Sequence, residues 1–251
     1  DLFTAPTNWT INNLIIDGNY TQNVGNFYWG VNMAVQNNGR GELHSVTFKD
    51  IPNECVFGSG FTIKNSNLTN SNGSFLHQSA DVTVGNSIFG GEITGNTTIN
   101  TNIKDGVNVT GHSEAVITFS FSSGRTKISN NRFLGGSGAV MGTISYSVTA
   151  IDGSLKDFIF TNNYCEGYSS IINNFVYSAS GLQANVDNVL ISNNTFNNCG
   201  VNDFGSYSSQ INSFGKIKIY DNILNGATTI LNEPWKLSFD KTIRKDYVTL
   251  G

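Results

Sequence analysis

Acidic, imidazole and aromatic side chains recur at equivalent places in short repeats along this 251-residue chain. His112 and Glu114 lie in the block Gly111-His112-Ser113-Glu114, where later copies of the block carry smaller or neutral residues. A general acid working with a second carboxylate or base needs its carboxyl groups roughly 5 to 10 Å apart. Stacked strands separated by about 4.8 Å could provide that distance. The candidates for such acid-base chemistry are Glu114, His112, Asp152 and Glu166.

Four further side chains are candidates for holding a substrate rather than reacting with it. One is a guanidinium and three are phenol rings, and they lie in or beside turns: Arg132, Tyr146, Tyr168 and Tyr207. Exposed rings can stack on apolar faces of a ligand, whereas rings at the corners of a fold can instead cover its core. Both readings stay open at this stage. For the acidic residues, the alternative is that they are solvated turn residues.

The elements that would position these residues follow from an internal repeat. Its copies share an apolar pair five residues apart, and in the clearest copies two polar turn residues, Asn-Asn or Asp-Asn, lie between them. The four clearest copies are Lys127-Ile-Ser-Asn-Asn-Arg-Phe133, Ile159-Phe-Thr-Asn-Asn-Tyr-Cys165, Leu190-Ile-Ser-Asn-Asn-Thr-Phe196 and Lys218-Ile-Tyr-Asp-Asn-Ile-Leu224. Weaker copies pair Ile63 with Leu68 and Val84 with Phe89. Copies spaced roughly 20 to 32 residues apart without helical periodicity predict a stack of β-coils.

Alternation of side chains along a strand places one residue type inward at each coil. We therefore expect a common core formed by Ile128, Phe133, Phe160, Cys165, Ile191, Phe196, Ile219 and Leu224. The Asn pairs fall where the chain leaves the strand, and Asn tolerates left-handed backbone conformations. Their amides can also bond to one another along the stack. A structural role is expected for nearly all of them.

A second block, Gly-x-Ser/Thr-x followed by two mostly aliphatic residues, begins at Gly111, Gly135, Gly167 and Gly226. Coil length is expected to grow from about 20 residues near Gly91 to about 32 between Gly135 and Gly167, with the surplus forming loops. The predicted fold is all-β, a single right-handed parallel β-helix with irregular long turns over residues 1-232. Residues 233-251 are predicted to be a C-terminal cap or linker.

The composition of the chain argues against several classes of function. Charged residues make up 13% of the chain and the net charge is −4, which gives no electrostatic footprint for nucleic acid. No apolar run approaches the roughly 18 residues that span a bilayer, so membrane insertion is not expected. Cys55, Cys165 and Cys199 lack metal-ligand spacing and are expected to be small buried residues. Neither a metal nor a cofactor is predicted.

The repeats resemble those of the pectin-lyase-like superfamily of right-handed parallel β-helices, which includes polysaccharide lyases, polygalacturonases, epimerases and bacteriophage tailspikes. The resemblance rests on the Ile-Ser-Asn-Asn-x-Phe motifs at residues 128-133 and 191-196 and on the opening segment 11-18. It covers about residues 9 to 232 and concerns architecture. The polygalacturonase motifs Asn-Thr-Asp and Asp-Asp are missing, and only Gly111-His112-Ser113 stands near the Gly-His-Gly motif.

The resemblance implies a β-helix domain that recognises a surface or cell-wall polysaccharide, as tailspikes do, with cleavage left open. Such a protein would be extracellular or on a virion surface, and a homotrimer is compatible with it. Two alternatives remain: a stand-alone secreted polysaccharide lyase or glycoside hydrolase, and a non-catalytic adhesin or virion structural module. Architecture by itself does not choose between them.

Overall fold

The computed structural model describes the backbone in a series of ordered ranges. These are residues 3-5, 9-18, 35-37, 41-51, 55-58, 62-71, 75-79, 91-101, 103-104, 107-108, 117-120, 123-124, 126-136, 139-144, 155-168, 170-173, 184-199, 211-214, 217-226 and 244-250. Within these ranges the chain forms strands and turns and no helix. The described part of the protein is therefore all-β, as predicted.

One strand from each coil joins a seven-stranded parallel sheet, called here the first flank. Its strands are β1 (Phe3–Ala5), β4 (Val35–Asn37), β7 (Val56–Gly58), β10 (Leu76–Ser79), β15 (Ile117–Ser120), β19 (Ala139–Ile144) and β22 (Ser170–Asn173). They follow one another in chain order across the sheet, with two strands of other flanks or more between successive members. This order is the signature of a chain that returns to the same flank once per turn.

The larger sheet bends around a corner and supplies two more flanks. The second flank contains β2 (Trp9–Asn12), β5 (Gly41–His44), β8 (Thr62–Lys64), β11 (Glu92–Thr94), β17 (Lys127–Ser129), β20 (Leu155–Thr161) and β23 (Ala184–Ser192). The third contains β3 (Ile15–Asp17), β6 (Thr47–Ile51), β9 (Asn67–Ser71), β12 (Thr97–Thr101), β18 (Arg132–Gly136), β21 (Tyr164–Glu166) and β24 (Thr195–Asn197). Strand β26 (Ile217–Asn225) pairs with β23 and with β24, so it belongs to both flanks.

The remaining strands extend or decorate the stack. Strands β16 (Ser123–Gly124) and β25 (Ile211–Phe214) pair in parallel with the early parts of β20 and β23. Strand β27 (Arg244–Leu250) pairs in parallel with β26, so regular stacking reaches into the segment 233-251. The chain is thus a three-sided parallel β-helix. A right-handed sense of winding stays a prediction.

The predicted register of the four clearest repeats is confirmed. Ile128 pairs with Phe160, Phe160 with Ile191 and Ile191 with Ile219. Phe133 likewise pairs with Cys165, Cys165 with Phe196 and Phe196 with Leu224. Of the eight predicted core residues all but Ile219 are 0% exposed, and the side chain of Ile219 lies outside the described set. Phe160 stacks between Phe133 and Phe196, with ring centroids 6.4 and 6.3 Å away.

The earlier coils have the same inward-facing positions, although their sequences match the repeat less closely. Ile63 and Leu68 are fully buried, as predicted, and the strand containing Ile63 pairs in register with the one containing Ile93. The next copy is therefore Ile93 with Thr98, while Val84 and Phe89 lie outside the described residues. In the first flank the second block keeps its predicted register between the copies at Gly111 and Gly135, where Ile117 pairs with Met141. It is one residue out of register at the next copy, where Ala139 pairs with Ser170.

The predicted growth of the coils is wrong. The shortest spacing comes early, between Glu42 and its partner Thr62, 20 residues later. The longest runs on the first flank from Leu76 to its partner Ile117, 41 residues later, and on the second flank from Glu92 to Lys127, 35 residues later. The surplus is partly taken up by an antiparallel hairpin of β13 (Ile103–Lys104) and β14 (Val107–Asn108). A hairpin bonds to itself, so it can leave the stack without leaving backbone groups unpaired.

The corner between the second and third flanks is built by the paired Asn residues. The first of each pair takes a left-handed conformation, with φ of 58° at Asn130, 56° at Asn162 and 56° at Asn193. Asp221 does the same, with φ 53°. Asn reaches this region more readily than most residues because its short polar side chain bonds locally. The predicted turn role of these residues is confirmed.

The second Asn of each pair points inward and forms a ladder. The amide nitrogen of Asn131 donates to Oδ1 of Asn163 at 2.9 Å, and that of Asn163 donates to Oδ1 of Asn194 at 3.0 Å. Each amide also donates to a carbonyl of the preceding coil, as Asn163 does to Ile128 at 3.1 Å. The ladder runs through Asn96, Asn131, Asn163, Asn194 and Asn222, all at most 2% exposed. Buried amides of this kind are tolerated because both donors and the acceptor are used.

Candidate functional site

Residues immediately after each ladder Asn point outward on the third flank. In β18, β21 and β24 the first and third residues face solvent while the second is buried. Register pairing stacks the first positions as Arg132, Tyr164, Thr195 and Ile223. The third positions stack as Leu134, Glu166, Asn197 and Asn225. Two parallel columns of charged, polar, aromatic and aliphatic side chains therefore run along the third flank.

Five of these side chains form a connected cluster, called here the outer row: Arg132, Tyr164, Glu166, Asn197 and Asn225. The Arg132 guanidinium lies over the Tyr164 ring, with Cζ 5.9 Å from the centroid. The Tyr164 hydroxyl donates to Glu166 Oε2. Asn197 donates its side-chain N–H to the Tyr164 oxygen at 3.3 Å, and Asn225 donates to Asn197 Oδ1 at 2.8 Å. The three hydrogen bonds form a chain that leads from Asn225 through Asn197 and Tyr164 to the Glu166 carboxylate.

The outer row is held in place electrostatically as well as by strand geometry. The hydrogen bond to Glu166 is the main cause that raises the pKa of Tyr164, and partial burial acts in the same direction. The phenol therefore stays protonated and remains a donor at neutral pH. Across four coils separated by about 4.8 Å, the row extends about 14 Å along the helix axis. That length suits an elongated ligand rather than a single small ion.

The structure brings together two of the residues predicted from sequence, Arg132 and Glu166. Tyr168 was a candidate platform, yet it is 1% exposed and belongs to the core. Tyr168 comes directly after Gly167, which has a left-handed backbone conformation with φ 76°. Of the two readings left open for such rings, Tyr168 takes the core-covering one. The other candidates lie outside the described residues: His112, Glu114, Tyr146, Asp152 and Tyr207.

Sequence reasoning missed Tyr164, Asn197 and Asn225. Their signal was present in the repeat, because the positions one and three residues after the ladder Asn alternate with a buried residue between them. Two-residue alternation next to a known core position identifies the outward face of a strand. Neither position stood out by residue type, and so the columns were not recognised.

Charges on the second flank are engaged with each other. Glu92 forms one ion pair with Lys64 at 3.0 Å and another with Lys127 at 3.4 Å. The hydrogen bond from Lys64 is the leading cause that lowers the pKa of Glu92, and Lys127 adds to it. Glu42 contacts His44 Nε2 at 3.0 Å. On this face Glu92 therefore links two lysines of neighbouring coils.

Other reactive groups in the described ranges are sequestered. Cys55, Cys165 and Cys199 are free thiols with at most 1% exposure, as expected for small buried residues. Burial raises the pKa values of Cys165 and Cys199, which keeps the thiols protonated. Over the described ranges, no three His, Cys, Asp or Glu side chains come together as a metal site. The same residues include no helix that could span a membrane.

Fold and ladder together define the class: this is a parallel β-helix whose corner is built by an internal Asn ladder and whose third flank carries the outer row. The chain matches no known family model, and comparison with curated proteins and with solved structures also finds no match.

Proposed function

We propose that the protein recognises a polysaccharide along its third flank, through the outer row. The supporting observation is the Tyr164 ring, which is partly exposed and lies beside the Arg132 guanidinium. Its hydroxyl is hydrogen-bonded to the Glu166 carboxylate on the same coil and to the Asn197 amide on the next coil. A sugar presents apolar C–H faces and hydroxyl edges. A braced aromatic ring beside hydrogen-bonding groups complements both.

Rigidity adds to the case for an elongated ligand. The outer row projects directly from strands that are fixed at one end by the Asn ladder and below by buried core residues. Sites on rigid strands hold their side chains more precisely than sites on loops. Little conformational freedom is lost on binding, so even a shallow face can hold a chain that touches several coils.

Cleavage is a further possibility within this proposal, with Glu166 as the carboxyl group nearest the ring. Hydrolysis by the common two-carboxylate route needs a partner carboxylate roughly 5 to 10 Å away. The hydrogen-bonded outer row contains Glu166 as its single acid. The remaining acid candidates, Glu114 and Asp152, are sequence predictions. Binding is therefore the primary activity proposed, and a hydrolase or lyase is the alternative.

A non-catalytic structural module is the second candidate. It is supported by the unbroken ladder from Asn96 to Asn222, which locks five coils together through buried amides. Such a rod could act as a stiff spacer that presents neighbouring parts of a larger assembly. This candidate requires no ligand on the third flank, which separates it experimentally from the first.

The test is a binding screen against immobilised capsular and cell-wall polysaccharides, followed by Tyr164→Ala. Loss of the ring should weaken binding at least about tenfold, since stacking and the connected hydrogen bonds are removed together. Tyr220→Ala is the matched control, because Tyr220 is also partly exposed but lies on the second flank. Equal binding by wild type and Tyr164→Ala would reject the outer row as the site.

Cleavage is measured in the same screen as loss of viscosity. If Glu166 is the general acid, Glu166→Gln should abolish turnover and largely keep binding, because the amide keeps the shape but cannot deliver a proton. Glu114→Gln tests the sequence-based candidate in the same way. Binding with unchanged viscosity for every polymer would favour recognition without cleavage.

A further inference from the structure

The first column of the third flank contains a notch beside the Tyr164 ring. Arg132 covers one side of that ring from the preceding coil. On the following coil the stacked position is Thr195, a short side chain, and on the coil after that it is Ile223. A large ring and a large aliphatic side chain thus stand two coils apart, about 10 Å, with a small residue between them.

Ile223 is an exposed aliphatic residue on a face that is otherwise mostly polar. Its side chain is 39% exposed, and it is one of the few large hydrophobic residues that reach the surface in the described ranges. Its neighbours in the adjacent column are the amides of Asn197 and Asn225. The notch is therefore flanked by the Tyr164 ring and the Ile223 side chain, with the short Thr195 between them and the two amides beside it.

Each side-chain amide carries two N–H donors. Asn225 uses one for Asn197 Oδ1, and Asn197 uses one for the Tyr164 oxygen. Among the described residues the second N–H of each nitrogen makes no hydrogen bond, so it can donate to a ligand acceptor. A ligand group that joins a carbonyl acceptor to a methyl would satisfy an amide donor and the Ile223 wall at once.

We propose that this notch accepts an acetylated sugar unit. The sugar ring packs on the open face of Tyr164, the acetyl methyl contacts Ile223, and the acetyl carbonyl accepts a hydrogen bond from Asn225. Arg132 acts as a positioning residue that holds the Tyr164 ring upright from its other side. The inference rests on the proposed function and adds to it a class of ligand, uncharged N- or O-acetylated polysaccharide.

The experiment compares ligands that differ in acetylation alone. The probes are the N-acetylglucosamine hexamer beside the glucose hexamer of the same linkage, and acetylated glucomannan and acetylated xylan before and after mild alkaline removal of the esters. Wild type should bind the acetylated member of at least one pair about tenfold more tightly, from one buried methyl and one hydrogen bond.

Ile223→Ser should reduce that preference to less than about threefold. Ile99→Ser is the matched control and should retain it, because Ile99 has nearly the same exposure, 38%, but lies in the other column and far from the notch. Asn225→Ala should also lower the preference, by removing the donor.

The outcomes separate the two proposals. Equal affinity for both members of every pair, with binding still lost in Tyr164→Ala, would overturn the acetyl inference and leave polysaccharide recognition standing. A preference that survives Ile223→Ser would likewise overturn the inference. Failure of wild type to bind any of these probes or any polymer of the wider screen would count against both.

Discussion

Single Asn residues have two distinct structural roles at the same corner, although they are adjacent in sequence. Asn162 supplies a left-handed backbone conformation, φ 56°, and is exposed. Asn163 is 2% exposed and supplies hydrogen bonds to both neighbouring coils. Chemistry does not distinguish the two side chains. Position relative to the inward-facing strand residue decides which role each one takes.

Asn163→Ala should lower the free energy of unfolding by about 2 to 4 kcal/mol. The substitution removes the hydrogen-bond partner of the buried Asn131 amide and of the Ile128 carbonyl. Asn162→Gly is the control and should change stability by well under about 1 kcal/mol, because Gly adopts positive φ readily. Denaturant unfolding measures both. Equal effects of the two substitutions would contradict the assignment of roles.

Glu92 provides a pH-dependent contribution to stability. The hydrogen bond from Lys64 is the main cause that holds its folded-state pKa below the ordinary value of a glutamate, so the ionised form is favoured in the folded protein. The contribution is present above the unfolded pKa and is lost as the pH falls through the folded pKa. The pairs are partly solvated, with Glu92 36% exposed, so the effect is small, about 0.2 to 1 kcal/mol.

Glu92→Gln should therefore destabilise the protein by about that amount at neutral pH. The difference from wild type should shrink toward zero as the pH falls through the folded-state pKa of Glu92, because the protonated carboxyl and the amide are both uncharged. Urea unfolding over a pH series checks this, and added salt should reduce the neutral-pH difference. A difference that grows in acid would show that the ion pairs do not act as described.

Strands of this β-helix are short, and their stability depends on what their inward residue meets in adjacent coils. The inward column of the third flank contains Leu68, Thr98 and Phe133 at successive coils, all 0% exposed. Within the described part of the chain, the Thr98 hydroxyl has no hydrogen-bond partner. A buried hydroxyl without a partner carries a desolvation cost.

Thr98→Val should consequently stabilise the protein by about 1 kcal/mol, because it replaces the hydroxyl with a methyl of similar size. Thr97→Val is the matched control, one residue away and pointing outward, and should have an effect within about 0.5 kcal/mol. Thermal and denaturant unfolding give the comparison. Destabilisation by Thr98→Val would show that the hydroxyl is satisfied in solution.

Coils stack into one continuous structure through repeated near-neighbour contacts, as in other solenoids. Rings at Phe133, Phe160 and Phe196 and the Asn ladder both cross coil boundaries. Stability is therefore shared along the axis by burial and hydrogen bonding. The three cysteines are free and buried within this core.

Reductant and chelator are accordingly expected to leave the unfolding midpoint unchanged, within about 1 °C, because the cohesion described above depends on apolar burial and amide bonding. Scanning calorimetry with and without dithiothreitol or EDTA provides the measurement. A shift of several degrees with either reagent would point to a disulfide or a bound ion as a further source of stability.

Repetition in the sequence was sufficient to determine the fold class, the register of the last four described repeats and the turn role of the Asn pairs. Each property depends on local spacing: five residues between inward side chains and two polar residues at a corner. Local spacing also predicted the burial of Phe133 and Phe196. The coil containing Ile93 and Thr98 was missed because Gly95 and Thr98 replace its most recognisable residues.

Tertiary structure alone decided which outward-facing side chains contact one another across coils. Arg132, Tyr164 and Asn197 are about 30 residues apart from one to the next, and their contact depends on the exact length of each intervening coil. A difference of one residue turns a strand's side chains to the other face, and local patterns do not determine loop length. For the same reason, the sequence left Tyr168 as either an exposed binding platform or a core-covering ring, and the stacking of the coils buries it.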